Sequence, residues 1–167
     1  MTDTERAATI ERLMQEYGSG IKRFCTLQLR DAFQAEDAAQ DTFVRAWRAL
    51  DTFRNEGSEK AWLMRIAVNI CRDYQRTGWF RHMERRFTPE SLPEQAQETA
   101  FPDGEVSRVV MDLPQKQRMA VLLRYYQGMT VGETADALGI SHATAKRQLK
   151  KANEVLRRKL EGWYDDD

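Results

Sequence analysis

The chain has 167 residues, of which 26 are Lys or Arg and 26 are Asp or Glu, so its formal net charge is zero. That length suits one large domain or two small ones, each burying only about 60% of its unfolded surface. No run approaches the roughly 18–20 apolar residues of a membrane span, and residues 1–16 lack the apolar core of a signal peptide, so the composition points to a soluble, cytoplasmic protein with no direct membrane insertion.

Residues 10–29 place Ile10, Leu13, Met14, Tyr17, Ile21, Phe24 and Cys25 on one helical stripe. Gly18 and Gly20 weaken its middle and leave a break there open. Residues 35–50 form a helix with two faces. Ala39, Phe43, Ala46, Trp47 and Leu50 lie on one side, and Asp37, Gln40, Asp41, Val44 and Arg48 on the other. A solvated face favours long charged side chains. A valine among short acidic and amide groups instead hints at a docking surface. Residues 51–59, DTFRNEGSE, read as a loop with one exposed aromatic candidate, Phe53.

A strong helix follows over residues 60–76. Leu63, Ile66, Ala67, Ile70 and Tyr74 form its buried stripe, with Arg65, Asn69, Arg72 and Arg76 on a polar stripe beside it and Trp62 between them. Residues 88–112 change character. Pro89, Pro93, Pro102 and Gly104 fall here, and six acids oppose one base, so the first part reads as an acidic linker. Helical pattern resumes near Glu105 with Val106, Val109, Val110 and Leu113.

From residue 114 to 164 the chain is basic, with ten Lys or Arg against four acids. Pro114 opens a helix to about Gln127. Thr130 and Glu133 match a capping box, Gly139 ends a short helix at Leu138, and Ser141 caps a last helix to about Leu160. This is a helix-turn-helix: Ala135 is the small residue where two steeply crossing helices meet, and Ile140 and Leu149 fill the wedge. The last helix carries Ala145, Leu149, Ala152, Leu156 and Leu160 on one stripe, and Lys146, Arg147, Lys150 and Lys151 elsewhere, placed to meet phosphates and base edges.

Cys25 and Cys71 fall on apolar or boundary positions of helices and read as buried small side chains rather than a redox pair. His82 and His142 are the only histidines, and without a CxxC they make no metal signature. No cofactor is expected. The fold expected is all-α: two small helical domains, residues 1–87 and 105–167, joined by a flexible acidic linker over 88–104.

Three segments, in order, resemble one family. AEDAAQDTFVRAW at 35–47 is similar to region 2.2 of the sigma-70 family, WLMRIAVNICRDY at 62–74 to regions 2.3–2.4 of its extracytoplasmic-function group, and LP at 113–114 with TVGETADALGIS at 130–141 to region 4 of that group. The resemblance implies a promoter-specificity factor for bacterial core RNA polymerase. It implies that Asp37, Gln40, Asp41, Val44 and Arg48 dock on polymerase. Phe53, Trp62, Arg65, Asn69, Arg72 and Arg76 would take the −10 element, with Phe53 and Asn69 at a pocket for a flipped base. Ser141, Thr144, Lys146, Arg147, Lys150 and Lys151 would take the −35 duplex. It also implies an anti-sigma partner, and a linker that threads the polymerase. Met64 stands where the family often has tyrosine, and Ala145, Arg147 and Gln148 are unusual in the last helix.

Two rival readings weigh against it. A conventional helix-turn-helix repressor gives no reason for Asp37, Gln40 and Asp41 to share a face. An enzyme acting on nucleic acid would need a nucleophile set, a phosphate-cradling glycine loop or a carboxylate cluster, and the sequence has none of these motifs. The terminal acids Asp165, Asp166 and Asp167 read as a solvated tail.

Overall fold

The computed structural model describes residues 1–53, 57–77 and 104–163. The linker expected over 88–104 lies outside them except for Gly104, as do His82 and residues 165–167. Among the described residues every long element is an α-helix and none is a strand.

Helix α1 (Asp3–Leu29) starts earlier than its apolar stripe, because Thr2 and Glu5 form a capping box: the Glu5 amide donates to Thr2 Oγ1 at 3.1 Å and the Thr2 amide to Glu5 Oε2 at 2.9 Å. It runs unbroken through Gly18 and Gly20. Each glycine costs about 1 kcal/mol of helix propensity, and burial of Leu13, Ile21, Phe24, Leu27 and Leu29 on this one element outweighs that. Met14, expected on the stripe, is 51% exposed. The helix ends on Arg30 in the left-handed region (φ 59°).

Asp31 then caps helix α2 (Ala32–Ala49), its Oδ1 accepting from the amides of Phe33 and Gln34 at 2.9 and 3.0 Å. The short link folds α2 back along α1. The buried side of α2 is Ala35, Ala38, Ala39, Thr42, Phe43 and Ala46. Trp47 sits at its margin, 37% exposed, with the Arg6 guanidinium 5.7 Å from its ring centre. Small side chains let α1 and α2 approach closely, which leaves no room for the indole between them.

Helix α3 (Glu59–Gln75), capped by Ser58, packs on both α1 and α2. Its buried surface is wider than the expected stripe. Met64, Val68 and Cys71 are buried as well, while Ile66 and Tyr74 are only half-buried. Cys71 packs against Cys25 of α1, and α6 (Val131–Leu138) is a third neighbour of α3 beside α1 and α2.

Helices α4 (Glu105–Met111) and α5 (Gln115–Val121) lead to α6. Beyond Val121 the helix widens by one residue per turn, the Gln127 amide reaching back five residues to the Leu122 carbonyl at 3.0 Å. Gly139 takes φ 68° after α6. Its amide donates to Asp136 and that of Ile140 to Ala135, the paired bonds that close a helix with a left-handed residue. Ser141 caps α7 (His142–Lys159), accepting from the Thr144 amide at 3.1 Å. Buried residues of both halves form one contiguous core.

Candidate polymerase- and nucleic-acid-binding surfaces

Asp37, Gln40, Asp41, Val44 and Arg48 are all exposed on one side of α2, opposite its alanine-lined buried side. Val44 is 48% exposed, an apolar residue held in solvent between charged neighbours. Asp41 is not free: the Tyr74 hydroxyl of α3 donates to its Oδ2 at 2.7 Å. Burial, reinforced by this bond, pushes the Tyr74 pKa up from its ordinary value. Sequence reasoning missed Phe33. It is 78% exposed and stands one turn before Asp37 on the same line of the helix. The signal was Asp31, whose capping role starts the helix at Ala32 and so brings Phe33 onto that face.

The second surface is on α3. Arg65 and Asn69 are exposed on successive turns, and the Asn69 amide bonds to no described residue. Phe53 follows the short turn at Leu50–Thr52 and packs on Trp62, ring centres 5.0 Å apart and tilted by 36°. Together Phe53, Trp62 and Arg65 wall an open cavity of about 370 Å³. The rest of the polar stripe is engaged. Arg72 is half-buried and donates to the Leu138 carbonyl of α6 at 2.8 Å, and burial lowers its pKa from the ordinary guanidinium value. Arg76 pairs with Asp73 at 3.1 Å, and Asp73 also takes Arg45 of α2 at 3.2 Å.

The third surface is α7. Lys146, Arg147, Lys150 and Lys151 are exposed, and none is ion-paired with a described residue. Ala145, Leu149, Ala152 and Leu156 hold the opposite side in the core. At the start of the helix Ser141 donates to Thr144 Oγ1 at 2.9 Å, and Arg147 to the same oxygen at 3.3 Å. Ser141 and Thr144 therefore fix the first turn and the direction of Arg147. The exposed end of α7 is electropositive from its free amides and its lysines alike.

Cys25 and Cys71 are fully buried, with the Cys71 thiol donating to the Cys25 sulfur at 3.8 Å and no disulfide between them. Burial pushes the Cys71 thiol well up, and its hydrogen bond to Cys25 adds to that. Among the described residues no group of three His, Cys, Asp or Glu stands close enough to hold a metal ion, and no helix is long and apolar enough to cross a membrane.

Residues 13–81 match the family model of sigma-70 region 2, and residues 103–154 that of sigma-70 region 4. The ECF RNA polymerase sigma factor SigL of Mycobacterium tuberculosis is 28% identical over 160 residues, covering 93% of this chain and 90% of its own length. SigM of the same organism, also an ECF RNA polymerase sigma factor, is 31% identical over 160 residues, covering 90% of this chain and 76% of its own. The sigma factor RpoE of Bartonella quintana, solved with the anti-sigma factor NepR, shares the fold with a TM-score of 0.69 at 23% identity, over 92% of this chain and 99% of that one. With both sigma regions matched in order, and with relatives at this identity along nearly the whole chain, the protein belongs to the ECF family of RNA polymerase sigma factors.

Proposed function

We propose that this sigma factor directs core RNA polymerase to its promoters through the three surfaces above. The α2 face of Asp37, Gln40, Asp41, Val44 and Arg48, extended by Phe33, docks on polymerase. The α3 surface holds the −10 strand, with Asn69 and the Phe53–Trp62 pair at the base pocket, and α7 reads the −35 duplex. The chain divides for these tasks at residues 1–87, 88–104 and 105–167. It acts in the cytoplasm, catalyses no covalent chemistry itself, and is held inactive by an anti-sigma protein, as the solved RpoE is bound by NepR.

The observation that supports this most is the uncommitted Asn69 amide one helical turn from the exposed Arg65, which shares a cavity with the tilted Phe53–Trp62 pair. Extracting a base costs a few kcal/mol. An aromatic contact returns about 1–3 kcal/mol per base, and an amide adds a donor and an acceptor for the base edge. Run-off transcription with core polymerase on selected genomic fragments tests the function directly. Defined start sites that share spaced −10 and −35 elements are expected. Transcripts no different from core polymerase alone would overturn the reading.

A further inference from the structure

We propose that the cavity where α1 and α3 meet α5 and α7 is a binding site for a small organic phosphate, and that a nucleoside diphosphate is the chemistry that fits it. Such a site adds a small molecule to a factor otherwise read as binding only macromolecules. Its occupancy is measured on the chain alone, so failure of this proposal would leave the promoter reading untouched.

The cavity measures about 470 Å³, within the roughly 300–1,000 Å³ of small-molecule sites. Its charge is one-sided. Arg72 and Arg76 at the end of α3 and Lys116 of α5 line it, and none of its described lining residues is an acid. Arg72 and Arg76 stand four positions apart, one turn along the same face, where like charges oppose each other. Burial lowers the Arg72 pKa, and the charge of Arg76 lowers it further. Asp73, the carboxylate that answers Arg76, is shared with Arg45. Lys116 is exposed and ion-paired with no described residue. Phosphate oxygens among the three cations would replace repulsion with charge-assisted hydrogen bonds, for which the guanidinium fork is shaped.

A second, independent feature is a donor that the fold leaves unused. Gln28 of α1 lines the cavity and is fully buried. Its Oε1 accepts from Arg118 Nε at 3.3 Å, which fixes the orientation of the amide. Its Nε2 is then left buried with no hydrogen-bond partner among the described residues. A buried donor without an acceptor is unfavourable, and an acceptor atom brought into the cavity would satisfy it. The remaining wall is apolar, formed by Met119, Leu138 and Ile140. An inorganic anion would meet the cations and leave that wall bare. A phosphate ester with a planar organic body uses the cations, the amide and the apolar wall together, the mixture that fixes a ligand's position and identity.

Isothermal titration of the full chain tests the site, with ADP, pyrophosphate and adenosine as separate probes. ADP should bind saturably, one to one, and about tenfold tighter than pyrophosphate or adenosine. Lys116→Glu, at an exposed position, and Gln148→Glu, at a half-buried one, each put an acid into the cavity wall. Each should weaken ADP about tenfold or more. If Gln148→Glu fails to fold, Lys116→Glu alone decides. Lys159→Glu makes the same change of charge at an exposed position outside the cavity, and should bind ADP as the parent does. No saturable heat with ADP overturns the site. Equal losses in Lys116→Glu and Lys159→Glu would show general attraction to a basic surface, which also overturns it. Pyrophosphate binding as tightly as ADP removes the organic part of the ligand and with it the proposal. A mixed-sequence single strand is titrated alongside. If it binds more tightly than ADP and loses as much to Lys116→Glu, the three cations belong to nucleic acid and no small-molecule site remains.

Discussion

The Tyr74 hydroxyl of α3 donates to the Asp41 carboxylate of α2 at 2.7 Å, tying the strand-facing helix to the proposed polymerase-docking face. Because burial and this bond raise the Tyr74 pKa, the fold holds the phenolic proton more tightly than the unfolded chain does. The stabilisation is complete below the unfolded value of about 10 and is lost as pH rises through the higher folded value. Tyr74→Phe should cost about 1 kcal/mol at neutral pH and flatten the alkaline decline of the urea midpoint. A decline as steep as the parent's would show that other groups cause it.

Phe33 and Asp37 occupy successive turns of one exposed face. Phe33→Ala should weaken core-polymerase binding about tenfold, as loss of an aromatic anchor commonly does. Asp37→Arg should weaken it further and make the residual binding less salt-dependent. Both variants should melt with the parent, since neither side chain is buried. A pull-down titration with unchanged affinity for both would remove this face from the interface.

Asn69→Ala removes a donor and an acceptor with no described partner to leave behind, so the fold should lose little stability. Open-complex formation on duplex promoters should fall, while binding to premelted templates changes at one −10 position. Core-polymerase affinity should be unaltered. Footprinting of duplex and premelted promoters side by side reads both effects.

Arg147 is aimed by its bond to Thr144, whereas Lys151 has no such guide. Arg147→Ala should relax base preference at one or two −35 positions, worth about 1–3 kcal/mol. Lys151→Ala should weaken every promoter alike and reduce the salt slope by about one. Selection on a library of −35 variants distinguishes the two; uniform weakening by Arg147→Ala would make it a phosphate contact.

Cys25 and Cys71 are fully buried, and burial raises the Cys71 pKa. Neither should react with a thiol reagent at pH 8 on the timescale of an exposed cysteine, and both should react in urea. Rapid labelling of the native protein would show that the core between α1 and α3 opens far more readily than its packing implies.

The features legible in the sequence are those whose cause lies within one or two turns of chain. Thr130 with Glu133, Gly139 with Ile140, and Ser141 with Thr144 define the helix-turn-helix through contacts no more than a few residues long. The alternation of faces on α2 and α7 follows from helical period alone, and the three motif segments gave the family resemblance without any contact between them. Only the tertiary structure decided what lies against α3. Arg118 meets Gln28 across 90 positions of sequence and Arg72 meets Leu138 across 66. Periodicity carries no information about a neighbour so distant, because the same stripe of arginines is compatible with solvent, DNA or another helix. For the same reason Met64 and Val68 were not expected in the core, and Arg72, expected on the −10 DNA strand, is half-buried on α6. Their burial depends on how α1, α2 and α6 close around α3, a property of the packed chain rather than of any segment.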